Sequence, residues 1–168
     1  VGVIFFSDKV EKFIPAQKGK THVLHIIREL LSFEPSSSGT DIAQALQYFA
    51  NAQKRHCTAF LISDFIGSGT MYKPLLIASN RHELNAIQIY DRREAELPNV
   101  GLVKFHDAET GGDLWVDTSI AAVRNEYAKT WNDNQNELQQ LFTRTGVNNI
   151  SIRTDEDYVK ALMHLFRC

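Results

Sequence analysis

Three apolar runs govern what this chain can fold into: Val1–Phe6 (VGVIFF), Cys57–Ile66 (CTAFLISDFI) and Leu84–Tyr90 (LNAIQIY). None alternates apolar with polar residues, as a strand with one wet face would. Each suits a strand covered on both faces. Segments of helical period lie between them. Val23, Leu24, Ile27, Leu30 and Leu31 predict a helix from about Thr21 to Phe33, with Thr21 placed to cap its first turn. Ile42, Ala45, Leu46 and Phe49 predict a second helix beginning near Asp41, and a short third one runs from beyond Gly67-Ser68-Gly69 to about Ser79. Strand, helix, strand, helix, strand is the rhythm of a parallel sheet with helices on both faces.

The remaining segments decorate that plan. Val10–Ile14 reads as a strand returning antiparallel to the first, and Pro15 ends it in the manner of an edge strand. Gly101–His106 and Leu114–Asp117 flank the turn sequence Asp107–Asp113 and predict an exposed hairpin. A long polar helix follows from Thr118 to about Phe142, then a short strand, Asn149–Arg153. Thr154 with Asp157 three residues later reads as a capping box opening a last helix through Leu162, Leu165 and Phe166. The expected fold is α/β: a doubly wound, mostly parallel sheet in one domain over residues 1–168, with a hairpin insertion at about 100–118. The chain opens inside an apolar strand with no initiator Met, although termini usually lie at the surface, so it reads as a fragment of a longer protein.

Composition narrows the function classes. A formal net charge of −2 offers no electrostatic footprint for nucleic acid or an anionic membrane. No apolar stretch approaches the roughly 20 residues of a membrane-spanning helix, and no secretory leader is visible. Cys57 and Cys168 belong to no CxxC pair, so both read as free thiols of a reducing, cytoplasmic compartment.

In an open parallel sheet, ligands bind beyond the carboxyl ends of the strands. Ser7-Asp8, Gly39-Thr40-Asp41, Ser63-Asp64 and Asp91 all fall there. Hydroxyls and carboxylates at one sheet edge suit a hard divalent cation, which prefers oxygen ligands. The competing reading is that Thr and Asp before a helix are N-caps, and that Asp after a strand is a turn residue. Gly67-Ser68-Gly69-Thr70 lacks a P-loop lysine and reads as a simple turn. His22 and His25 share a helix face without acidic or cysteine companions nearby in sequence, and read as surface residues. Trp115 and Trp131 are candidates either for core packing or for anchoring a partner. Neither a GxSxG elbow nor a recognisable cysteine-nucleophile motif occurs.

VGVIFFSDKVEKFIPAQKG, GTDIAQALQYF and CTAFLISDFI, in that order, together resemble the von Willebrand factor A fold. More closely, they resemble the bacterial family called domain of unknown function 58, to which the hairpin DAETGGDLWVD is also similar. The resemblance implies a metal-ion-dependent adhesion site. There, a DxSxS motif after the first strand, a Thr from a later loop and an Asp after the fourth strand hold Mg²⁺. By matching motifs, Thr40 and Asp64 take the last two positions. No Asp-x-Ser-x-Ser occurs in the chain, so the strand carrying it is expected before Val1, and the first strand of the fold is expected to be missing. The implied function is a non-enzymatic protein-interaction module that assists a MoxR-type AAA+ ATPase in chaperone-like assembly, with Ser7, Asp8 and Asp41 near the partner. The alternative is a metal-dependent phosphotransfer or hydrolytic enzyme using Asp64 or Asp8. The lost strand also implies self-association through the gap it leaves.

Overall fold

The computed structural model describes residues 1–67, 70–106 and 112–165. They fall into two compact units, 1–55 with 67–81, and 56–66 with 82–168.

The first unit begins with β1 (Val3–Phe6) and β2 (Val10–Ile14), an antiparallel pair with an irregularity between Phe5 and Phe6. Three helices follow: α1 (Lys20–Ser32), α2 (Ile42–Ala52) and α3 (Tyr72–Arg81). Of the predicted apolar face of α2, Ile42, Ala45 and Leu46 are buried and Phe49 is half-buried; Ala50 is buried as well, and α2 packs on α3, whose Leu75 and Ala78 are fully covered. Phe5 stacks on Phe33 with ring centroids 4.7 Å apart.

α1 departs from expectation twice. Its N-cap is Gly19, not Thr21, and no side chain caps it. Gly19 sits at φ 107, a conformation open to glycine, which starts the helix early enough to place Thr21 inside the first turn. Its apolar residues Val23, Leu24, Ile27, Leu30 and Leu31 are all exposed, and α1 buries none of its residues.

The second unit is built on β3 (Thr58–Ser63), β4 (Glu83–Tyr90) and a later strand. Between them come α4 (Arg92–Ala95), β5 (Leu102–His106), β6 (Asp113–Asp117) and α5 (Ala121–Thr145), before β7 (Asn148–Arg153) and α6 (Tyr158–Leu165). The sheet is parallel, in the order β3-β4-β7. Five consecutive β4 residues, Leu84–Gln88, are buried, the amides Asn85 and Gln88 among them, so both faces of the central strand are covered, as expected for this run. α5 and α6 pack against β7, while Tyr90 of β4 meets Trp131 of α5 at 5.2 Å. Trp131 is therefore a packing residue.

The expected single sheet is in fact three: the parallel β3-β4-β7, the β1-β2 pair and the antiparallel β5-β6 hairpin. The hairpin's turn, predicted at Asp107–Asp113, lies largely outside the described residues. So do Ser68 and Gly69 of the glycine turn, Phe166 of the last helix, and Cys168.

Two helix starts need correction. α5 begins three residues later than predicted, because Thr118 is buried at the root of the hairpin. Its Oγ1 donates to Gly101 O at 2.7 Å and accepts from Val100 N at 3.0 Å. Thr154 does not cap α6; its hydroxyl donates to Asp91 Oδ2 at 3.2 Å, and Asp157 instead accepts from Val159 N at 3.0 Å. α5 ends at Gly146 in the left-handed conformation (φ 67), with the backbone N–H turned back onto the last carbonyls. α4 is an element the sequence reading missed. Its signal was present in Asp91 and Glu94, which form a reciprocal capping box.

Candidate functional site

In the parallel unit, two acidic residues follow strand ends. Asp91 is used structurally: Oδ1 accepts from Arg93 N at 2.8 Å, and Oδ2 accepts from Thr154. Asp64 is different. It is exposed, and its Oδ1 accepts from Ile66 N at 3.1 Å and, more weakly, from Ser63 Oγ at 3.4 Å. Among the described residues its Oδ2 has no hydrogen-bond partner.

The backbone around Asp64 is held tightly. Ser63 Oγ accepts from Phe65 N at 3.1 Å, and Gln88 Nε2 donates to Asp64 O at 3.2 Å. Phe65 adopts φ 61, the only positive φ of a non-glycine residue described, and its ring meets Phe142 edge-on at 5.3 Å. Gln88 was missed by sequence reasoning. Its signal was an amide, one of two with Asn85, inside the largely apolar run LNAIQIY, since a polar group buried in a strand requires partners.

In the first unit, Ser7, Asp8 and the 39–41 loop come together. Ser7 O accepts from Asp41 N at 2.8 Å, and a Cβ placed on Gly39 would sit 3.4 Å from that of Asp8. Ser7 is buried, and its hydroxyl donates to Glu11 Oε1 at 2.7 Å. Glu11 also accepts from Ser36 N and Oγ, at 3.1 and 2.7 Å. Hydrogen bonds from Ser7 and then Ser36 hold the Glu11 carboxyl below the usual carboxylate range. Neither Glu11 nor Ser36 was singled out in the sequence, because their contact spans 25 residues. Asp41 is the N-cap of α2, accepting from Gln44 N at 2.8 Å. Asp8 and Thr40 are exposed. Thr40 thus belongs to the first unit and Asp64 to the second.

The remaining candidates are accounted for locally. His22 Nε2 lies 2.9 Å from Val1 O, and His25 is 3.8 Å from Glu29. Among the described residues, no three His, Cys, Asp or Glu side chains gather into a metal-holding group. Cys57 is a free thiol beside His82 Nδ1 at 3.6 Å, and burial pushes its pKa up, away from the thiolate a nucleophile needs. Trp115 is 61% exposed on the hairpin, unlike Trp131.

The family described as "Protein of unknown function DUF58" matches residues 1–137. The chain belongs to this DUF58 family. An uncharacterized protein of Mycobacterium tuberculosis H37Rv is 30% identical to this DUF58 chain over 163 residues, covering 95% of the chain and 50% of the relative. An uncharacterized protein of Mycobacterium avium is 28% identical over 158 residues, covering 92% of each. The chain thus spans about half the length of several curated relatives it matches.

Two solved structures share the fold at low identity. BatB of Bacteroides thetaiotaomicron has a TM-score of 0.56 at 15% identity, covering 98% of this chain and 75% of that one. An aerotolerance-related membrane protein of Bacteroides fragilis, solved with multiple mutations to serine, has a TM-score of 0.59 at 16% identity, covering 99% and 79%. In the DUF58 chain itself, no described helix is long and apolar enough to cross a membrane.

For the Mg²⁺ that the resemblance implies, the donors fit in kind. Asp64, in the second unit, offers an exposed carboxylate oxygen without a partner among the described residues, and Thr40, in the first, an exposed hydroxyl; each by itself is a hard ligand. Neither alone meets the near-octahedral oxygen coordination that Mg²⁺ demands.

Proposed function

We propose that this DUF58 chain is a non-enzymatic protein-interaction module of von Willebrand factor A type, whose binding is switched by Mg²⁺ through Asp64. The observation that carries the reading is the contrast between the two strand-end aspartates. Both carboxylate oxygens of Asp91 are consumed by a cap and by Thr154, whereas Asp64 keeps one oxygen without a partner among the described residues. Bound Mg²⁺ would supply a positive charge able to accept an acidic side chain from a partner. The chain's own contribution is to present Asp64 past the end of β3 and to fix its backbone. The resemblance gives Thr40 a second ligand's part; the DxSxS motif of that site does not occur in residues 1–168. A MoxR-type AAA+ ATPase is the partner we infer, in a reducing cytoplasmic compartment that suits the free Cys57 thiol.

The test is capture of the MoxR-type ATPase of the same organism by the full-length protein, with Mg²⁺ or with EDTA. Capture should require Mg²⁺, and both Asp64→Ala and Thr40→Ala should abolish it while melting temperature stays near wild type. Capture that survives EDTA and both substitutions would defeat the reading. Steady phosphatase or hydrolase turnover lost in Asp64→Ala would favour the enzymatic alternative instead.

A further inference from the structure

α1 is held to its unit by polar side chains. His22 Nε2 lies 2.9 Å from Val1 O, and Glu29 pairs with Lys12 of β2. His22 and Glu29 are seven residues apart, so helical spacing puts them on one side of α1. Val23, Leu24, Ile27, Leu30 and Leu31 fall on the other side and are 38–83% exposed. An amphipathic helix ordinarily turns its apolar stripe to the core. This one presents it outward.

The β5-β6 hairpin has a matching lack. Its register sets Val103 opposite Val116 and Phe105 opposite Leu114. Opposed residues, and residues two apart along a strand, share a face, so these four form one wholly apolar platform. Phe105 and Leu114 are exposed, and the two valines are half-buried. The charged residues Lys104, Asp113 and Asp117 take the opposite face, where Lys104 pairs with Asp113 at 2.7 Å. A two-stranded hairpin is marginal in water unless a further strand or a helix covers its apolar face.

We propose that the chain pairs with a second copy of itself, the apolar stripe of α1 in each copy packing on the hairpin platform of the other. Helix on sheet face is an ordinary way for such surfaces to leave water. Charge selects this pairing over its rivals. α1 carries Lys20 and Arg28 beside its stripe, and its one carboxylate, Glu29, is engaged by Lys12. The hairpin strands carry Asp113 and Asp117 against Lys104. Two α1 helices face to face would set cations against cations, and two hairpins would set net negative strands together, whereas α1 on the hairpin sets opposite charges near each other. Area selects the two-fold arrangement. One stripe on one platform covers only several hundred Å², short of the roughly 1,200–2,000 Å² of a stable interface; the reciprocal pair reaches the lower end of that range. Asp64 has no part in this contact.

The experiment is light scattering of the 168-residue chain and two double variants, with thermal unfolding of each alongside. The unmodified chain should weigh about twice its 19.1 kDa monomer. Leu30→Glu with Leu31→Glu removes the stripe, and Phe105→Glu with Leu114→Glu removes the platform; each variant alone should be monomeric. Leu31→Ser and Leu114→Ser repeat the comparison more mildly if the glutamates unfold the chain. Mixed in equal amounts, the two variants retain one intact contact between them, the stripe of one and the platform of the other. The mixture should therefore associate again, at roughly a hundredfold higher concentration than the unmodified chain because one contact has replaced two. A monomeric unmodified chain would overturn the proposal. So would either variant alone keeping the unmodified mass, as pairing through two α1 helices, two hairpins or the β3 edge would allow. A mixture no heavier than its components at about millimolar concentration would overturn it as well.

Discussion

Asp41, Asp64 and Asp91 are one residue type at junctions between elements, and their side chains do three different things. Asp41 caps α2 through Gln44 N, Asp91 closes a capping box and takes the Thr154 hydroxyl, and Asp64 holds its turn with one oxygen only. Capping could be read from sequence for Asp41 because it needs only local geometry, an acceptor just before a helix. The division of labour could not, since Thr154 reaches Asp91 across 63 residues and Gln88 finds Ser151 at the same separation. Glu11 and Ser36 stayed invisible for the same reason. Asp41→Ala should lose the typical worth of an N-cap, about 1 kcal/mol, in urea unfolding. It should leave Mg²⁺-dependent capture of the ATPase unchanged. Unaltered stability with weakened capture would make Asp41 a partner contact rather than a cap.

The elements were largely legible because period and breaker residues act locally. The apolar runs that became β3 and β4 and the amphipathic face of α2 needed nothing else. Misses cluster where a distant contact overrode local preference, as when Thr118 was taken by Gly101 and Val100 instead of opening α5. α1 is the informative case. Its period predicted an inward apolar stripe, yet Leu24, Leu30 and Leu31 are 53%, 61% and 83% exposed. β3 adds a second unprotected element, since among the described residues it forms one edge of its sheet and its sequence TAFLIS contains no Pro and no charged residue to blunt that edge. Contiguous exposed apolar surface and open edges favour association with another chain. The 168-residue chain should therefore scatter light as a species heavier than its 19.1 kDa monomer at micromolar concentration. Leu30→Glu with Leu31→Glu should shift it toward monomer. A single 19.1 kDa species for the unmodified chain would contradict this.

For the whole molecule, the α/β class with its parallel sheet and antiparallel hairpins was readable from the order of apolar runs, and it is the fold shared with the two Bacteroides structures. The one-sheet plan was not, because pairing between strands far apart in sequence is set by tertiary contact rather than by local pattern. The proposed cation site is the part least determined by residues 1–168, which contain Thr40 and Asp64 but no DxSxS. Calorimetric titration with Mg²⁺ of the full-length protein, its Asp64→Ala variant and the 168-residue chain tests the central claim most directly. We expect one site on the full-length protein tighter than about 100 μM, equivalent to about 5.5 kcal/mol. That site should be lost in Asp64→Ala and absent from the 168-residue chain. Binding of equal strength by the Asp64→Ala variant, or no site on the full-length protein at all, would contradict the claim.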